Sequence, residues 1–316
     1  MRSVAVLPLL VLAAGCSLFP ELSSYGDCAD GKCRDAGSAG TGGSIEDAST
    51  GGAAGSAGSG GNAGTAGVGG SAGSAGAGGS AGADAATDPC GSYKGASMVK
   101  PKNLAFCIDS TEVTRAQYQE FLVDQGATPT GTHPKCGFNA SYKISDYLWN
   151  ATADDEPVHG TDWCDAVDYC AWAGKRLCGK LGGGELAKAE CSTTQSQWMV
   201  ACSLNGVQNY PYGNQYVAGN CRDSVTDGGS SGQVPVGSLP KCEGGYPGIF
   251  DMSGNVMEWQ DSCTQTSDPA TDECEAQGGS WNFPGGSGSA VFCGFHEPHV
   301  RGGEGPQIGF RCCKDL

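Results

Sequence analysis

Basic residues are scarce in this 316-residue sequence: 18 Lys and Arg stand against 34 Asp and Glu, a formal net charge of −16. Binding a phosphate backbone requires clustered Lys and Arg, so nucleic acid is not an expected partner. No apolar run approaches the roughly 20 residues that span a bilayer as a helix. A Walker-type Gly-Lys-Ser/Thr loop is missing, which removes P-loop chemistry. No pair of Cys-x-x-Cys knuckles occurs, so the 18 cysteines do not read as zinc sites. Before Cys90 aromatic residues are almost absent, and that part has little with which to build a core.

What is abundant is cysteine and glycine. So many cysteines point to an oxidising compartment, where disulfides persist. Cys16, Cys28 and Cys33 precede the candidate domain, leaving fifteen from Cys90 onward. That number is odd, so either one thiol is free or one pairs outside the domain; spacing alone does not give the connectivity.

The chain divides into three parts. Residues 1–16 read as an export signal, with Arg2, an apolar run from Val4 to Ala14, and small residues before Cys16. Leu12-Ala13-Ala14-Gly15-Cys16 resembles a bacterial lipobox, which implies lipidation at Cys16 and a membrane partner through the acyl chains. An ordinary cleaved secretory signal is the alternative. Ser17 resembles signals that direct lipoproteins to the outer membrane. Residues 17–89 are a spacer of Gly, Ala and Ser that buries too little to order its backbone. At ~5–6 Å × √n, roughly 50 such residues reach about 40 Å. Residues 90–316 form the folded domain.

Within it, Phe106-Cys107-Ile108 reads as a strand. Thr114 with Gln117 is a capping-box pattern opening a helix whose apolar face includes Tyr118, Phe121 and Leu122. The stretch from there to Pro157 reads as irregular. Asp162 with Asp165 caps a second helix with Ala166, Val167, Cys170 and Ala171 inward, stopped by Gly174 and followed by Lys175 and Arg176 at its cation-favouring end. Cys178 to Cys191 reads as a Gly-rich insertion that a disulfide can staple, and Thr194 with Gln197 as the cap of a third helix. After Asn205 the pattern turns to short, aromatic, Gly/Pro-punctuated segments.

The most informative segment is Gly248-Ile-Phe-Asp-Met-Ser-Gly-Asn-Val-Met-Glu-Trp259. Phe250, Met252, Val256, Met257 and Trp259 can bury, while Asp251 and Glu258 set oxygens around a glycine turn, the donor type a hard cation such as Ca²⁺ takes. The segment resembles the signature of the formylglycine-generating enzyme family, the sulfatase-modifying factors. Phe106–Phe121, Pro157–Leu177, Gln197–Gly213, Pro235–Ser238, Gly278–Trp281 and Ile308–Cys312 match the same family in order. The resemblance implies an α+β fold of the formylglycine-generating, C-type-lectin-like kind with little regular structure. It also implies one structural calcium ion held by Asp251, Glu258 and the carbonyls of Gly254 and Val256, and another near Asn220 and Asp227.

The family's oxidases convert a substrate cysteine to formylglycine with Cu(I) held by two cysteines, at the second and seventh residues after Gly-Gly-Ser-Trp. Soft Cu(I) favours thiolates. Here those positions after Trp281 are Phe283 and Gly288, and the arginine-rich run that follows in relatives is missing. Cys293 is the one cysteine between Trp281 and Cys312; Cys263 or Cys274 can approach it in space, but disulfide formation is the expected fate in so oxidising a setting. His296-Glu297-Pro298-His299 offers two imidazoles to a metal, but the proline favours a surface loop. Relatives in ergothioneine-type biosynthesis bind iron through a separate His-rich helical domain, and nothing like it is present. The expectation is an exported, calcium-stabilised, non-catalytic binding or scaffold module for an unidentified protein, peptide or saccharide. A divergent oxidase using copper or another metal is the alternative.

Overall fold

The computed structural model describes residues 88–130, 133–225, 232–283 and 290–316, all within one compact unit, Gly79–Leu316. Cys16, residues 17–87 of the spacer, Asp227 and Gly288 lie outside the described residues. Among the described residues no helix is long and apolar enough to cross a membrane.

Helix α1, Arg115–Gln125, begins at the expected capping box: Gln117 N–H donates to Thr114 Oγ1 at 3.2 Å and Thr114 N–H to Gln117 Oε1 at 3.0 Å. It buries Tyr118 and Phe121. Helix α2, Asp146–Ala151, lies in the stretch read as irregular; at six residues it is too short to show a 3.6-residue period. Helix α3, Trp163–Trp172, has the Asp162–Asp165 capping box and ends before Gly174, whose φ of 77° any side chain would strain. Its inward face is turned from the expected one: Ala171 is exposed and Val167 partly so, while Trp163, Tyr169 and Cys170 are buried. The cause is aromatic packing, since Tyr169 stacks on Tyr118 of α1 at 5.9 Å. Helix α4, Gln197–Cys202, is capped by Ser196 rather than Thr194, with Met199 N–H donating to Ser196 Oγ.

The described residues form ten strands: β1 (Met98–Val99), β2 (Phe106–Asp109), β3 (Arg176–Leu177), β4 (Glu243–Gly244), β5 (Tyr246–Phe250), β6 (Met257–Cys263), β7 (Glu273–Gln277), β8 (His296–Val300), β9 (Ile308–Gly309) and β10 (Cys312–Asp315). One sheet runs β1-β2-β10-β3 and another β8-β7-β6-β9, with β4-β5 as a hairpin. Pairing is antiparallel except between β6 and β9.

Two cores flank the first sheet. One collects Tyr118, Trp163, Tyr169, Trp259 and Phe310, the other Phe106, Ile108, Trp198, Ile249 and Met252. Cys312 and Cys313 are neighbours on β10, so their side chains leave opposite faces. Cys312 pairs with Cys170 in the first core and Cys313 with Cys178 in the second. The proposed Cys178–Cys191 staple is therefore not formed. Cys90–Cys107, Cys136–Cys164, Cys202–Cys293, Cys221–Cys242 and Cys263–Cys274 complete the set. Cys191 is the free cysteine among the described residues.

Lys175 and Arg176 serve sheet and core rather than a helix end. Lys175 is fully buried and pairs with Asp109 at 2.6 Å, and Arg176 pairs with Asp315 on β10.

Candidate functional site

The Gly248–Trp259 segment leaves β5, makes a turn and enters β6. Asp251, Gly254 and Asn255 have φ of 59°, 73° and 57°, a left-handed conformation open to Gly and tolerated by Asn and Asp. At Gly254 a Cβ would also lie 1.9 Å from the Arg222 carbonyl oxygen. The backbone there is held by Gly254 N–H to Gly278 O and Asn255 N–H to Arg222 O, both 2.8 Å. Met252, Val256, Met257 and Trp259 are buried as expected, and Phe250 is half-buried.

Asp251 and Glu258 come together in a buried polar cluster with two residues that the sequence reading did not assign to the site, Glu112 and Arg311. Glu258 Oε2 accepts from Trp198 Nε1 and Arg311 Nε, each at 2.7 Å, and Oε1 accepts from Arg311 Nη2 at 2.7 Å. Asp251 Oδ2 accepts from Gly237 N–H. Glu112 accepts from Asn255 Nδ2 and Val256 N–H. All three carboxylates are at most 2 % exposed, and Arg311 is fully buried.

Charge at this point is unbalanced, with three carboxylates facing one guanidinium. Burial pushes the Asp251 carboxyl up to about 6. Burial and then Asp251 push Glu112 well above the usual carboxylate range. Burial opposes the charge on Arg311, but Glu258 holds its pKa above the ordinary value. The donors left for a cation are all oxygen, and excess negative charge is the condition that favours a hard divalent ion. A carboxylate offers about four lone-pair sites, and Glu258 spends three on Trp198 and Arg311. The cluster thus offers oxygen donors and an excess of negative charge, with most of the Glu258 acceptor capacity taken by Trp198 and Arg311.

Asn220 sits on a turn closed by its N–H to Val217 O, and the next residue, Cys221, is bridged to Cys242. Its expected co-ligand Asp227 lies outside the described residues. Among the described residues no group of three or more His, Cys, Asp or Glu side chains is arranged to hold a metal ion.

Trp281 N–H donates to Asn255 O at 2.8 Å, which seats the start of the copper segment against the turn. Phe283, at the first copper-ligand position, packs edge-on against Phe295 at 5.3 Å. Cys293 pairs with Cys202, and Cys263 and Cys274 pair with each other across β6 and β7, so all three end in disulfides as expected. Cys191 is buried, with its thiol on Ser262 Oγ at 3.2 Å; burial pushes its pKa up to about 11, which disfavours the thiolate a metal needs.

The His296–His299 run is not a surface loop but strand β8 at a sheet edge, where Pro298 costs no ladder donor. Three residues apart on a strand, the imidazoles leave opposite faces. His296 Nδ1 lies 2.7 Å from Glu275 Oε2, while His299 meets the edge of Trp259. They do not converge on one ion.

The two-sheet scaffold and the signature turn define a class, and comparison with known proteins gives the family. Residues 73–316 match the "Sulfatase-modifying factor enzyme 1-like domain" family model, and the chain belongs to that family. Formylglycine-generating enzyme of Bos taurus is 27% identical over 185 residues, covering 51% of this chain and 44% of that protein. "Inactive C-alpha-formylglycine-generating enzyme 2" of Bos taurus is 32% identical over 173 residues, 49% of each. Hercynine oxygenase of Mycobacterium tuberculosis is 26% identical over 205 residues, 57% of this chain and 43% of that one. The chain thus spans about half the length of the curated relatives it matches. Among solved structures, CarF overlays with a TM-score of 0.45 at 19% identity, over 72% of this chain and 95% of that one. The family therefore includes both oxidases and a paralogue named inactive.

Proposed function

We propose that this chain is an exported, lipid-anchored member of the family whose domain is a non-catalytic, calcium-stabilised binding or scaffold module at the cell envelope. The observation that carries this reading is the fate of the cysteines. Fourteen of the fifteen from Cys90 onward are bridged, and the remaining thiol, Cys191, is buried against Ser262 Oγ. Phe283 at the first copper-ligand position supplies hydrophobic packing and no donor. Family resemblance and the charge excess around Asp251 and Glu258 support the calcium ion, which would clamp loops with little regular structure of their own. Asp251, Glu258 and the carbonyls of Gly254 and Val256 would hold it.

The oxidase alternative needs two thiols on one Cu(I). Anaerobic Cu(I) titration against a chromophoric chelator tests the choice: the chain is expected to leave the metal with the competitor. One equivalent held tightly, and lost on Cys191→Ser, would overturn the non-catalytic reading.

A further inference from the structure

Asn255, in the signature turn, holds two loops side by side. Its carbonyl accepts from Trp281 N–H at 2.8 Å, its Oδ1 accepts from Val234 N–H at 2.9 Å, and its Nδ2 donates to Val234 O at 3.3 Å. A third loop is tied in by Gly160 N–H, which meets the carbonyls of Gly305 and Ile308, each at 3.1 Å. At Gly160, φ 79°, a Cβ would lie 2.5 Å from Leu148 Cδ1, so its absence lets α2 close on that loop. Between these pieces lies a cavity of about 370 Å³, lined by Tyr147 and Leu148 of α2 and by His159, Gln233, Trp281 and Gln307. Its size falls in the range of small-molecule sites.

Among the described residues no Asp, Glu, Lys or Arg lines this cavity. His159 is buried, and burial lowers its pKa, so the imidazole is neutral. Gln233 Nε2 lies 3.0 Å from His159 Nε2 and 3.3 Å from Glu156 Oε2. Its two hydrogens are thereby committed, and the Gln233 carbonyl oxygen is the acceptor left over. Trp281 Nε1–H is buried without a hydrogen-bond partner, a state that costs free energy. Tyr147, 82 % exposed, adds an aromatic ring on the open side.

These groups narrow the ligand. A purely apolar molecule would leave the Trp281 donor unpaired. A charged one meets no counter-charge on the walls, and an anion is also repelled by a chain of net charge −16. An extended peptide finds no ladder to join, since none of the lining residues belongs to a strand. What fits is an uncharged molecule whose groups both donate and accept, with an apolar face for an aromatic ring. We infer that the cavity binds a neutral saccharide unit, one hydroxyl accepting from Trp281 Nε1–H, another donating to the Gln233 carbonyl oxygen, and the C–H face of the sugar ring against Tyr147. The inference rests on the binding-module reading and names its ligand class.

The test is isothermal titration of the full chain with glucose, galactose, mannose, N-acetylglucosamine, cellobiose, lactose and chitobiose. Glucuronic acid and N-acetyl-trialanine amide serve as the anionic and peptide probes. Expected is binding by at least one neutral sugar, with both of the other probes weaker. Trp281→Phe keeps a ring and removes the N–H, and should weaken the best sugar about tenfold, as loss of one hydrogen bond implies. Tyr147→Ala should weaken it about threefold or more. Its side chain is exposed, so melting stays unchanged, and this variant keeps the test valid should Trp281→Phe fold poorly. No binding by any neutral sugar, an affinity indifferent to both substitutions, or tighter binding of the peptide probe overturns the inference. In each of those events a silent Cu(I) titration still leaves the non-catalytic reading standing, so the two fail separately.

Discussion

At Glu258 a carboxylate 1 % exposed accepts hydrogen bonds from Trp198 and from two nitrogens of Arg311. Removing one partner of a buried charge pair strands the other, at a cost on the order of 3–5 kcal/mol. Glu258→Ala therefore lowers stability whether or not calcium binds. Asp251 separates the two effects, because its carboxylate accepts from the Gly237 backbone and lies in no ion pair. With calcium at about 100 times its dissociation constant, the folded state gains about 2.7 kcal/mol. The expected outcome is a melting midpoint that rises with calcium and falls on chelation in the wild type, and a lost response in Asp251→Asn. A wild-type midpoint unmoved by both treatments removes the ion. Asp251 and Glu258 were legible because they sit in one contiguous signature. Glu112 and Arg311 were not, since they reach the cluster from 139 residues before and 53 after their partners in the chain, and no local period marks such a contact.

Local chemistry read well at the scale of single elements, and packing did not. The capping boxes at Thr114 and Asp162 are made by residues three apart, so they show in the sequence and reappear in α1 and α3. Ser196 displaced Thr194 as the cap of α4 because the Gln197 side chain, the other half of the expected box, is drawn off to Gly179 N–H and Asp315. Strand β8 was hidden by its proline, which breaks a helix but is tolerated at an edge. The disulfides followed the same division. An odd cysteine was countable, yet its identity as Cys191 depends on β10 placing Cys312 and Cys313 on opposite faces, each opposite a cysteine more than 130 residues earlier.

Over the whole molecule, the bridges replace regular secondary structure as the source of rigidity. In the chain-entropy account a bridge closing about 100 residues contributes about 4.7 kcal/mol, and Cys170–Cys312 and Cys178–Cys313 close more than that. Such a scaffold suits an oxidising compartment, which agrees with the export signal proposed for residues 1–16. If Cys16 carries the anchor, Cys16→Ser should move the protein from the membrane to the soluble fraction; retention with membranes would refute lipidation there.

Non-catalysis is the central claim, and it rests on which thiols are free. The direct measurement is a count of reactive thiols in the unfolded, unreduced domain from Cys90 onward, with mass-spectrometric mapping of the bridged pairs. The account predicts one thiol, at Cys191, with Cys293 joined to Cys202. Two free thiols including Cys293 would contradict it and return the domain to the oxidases.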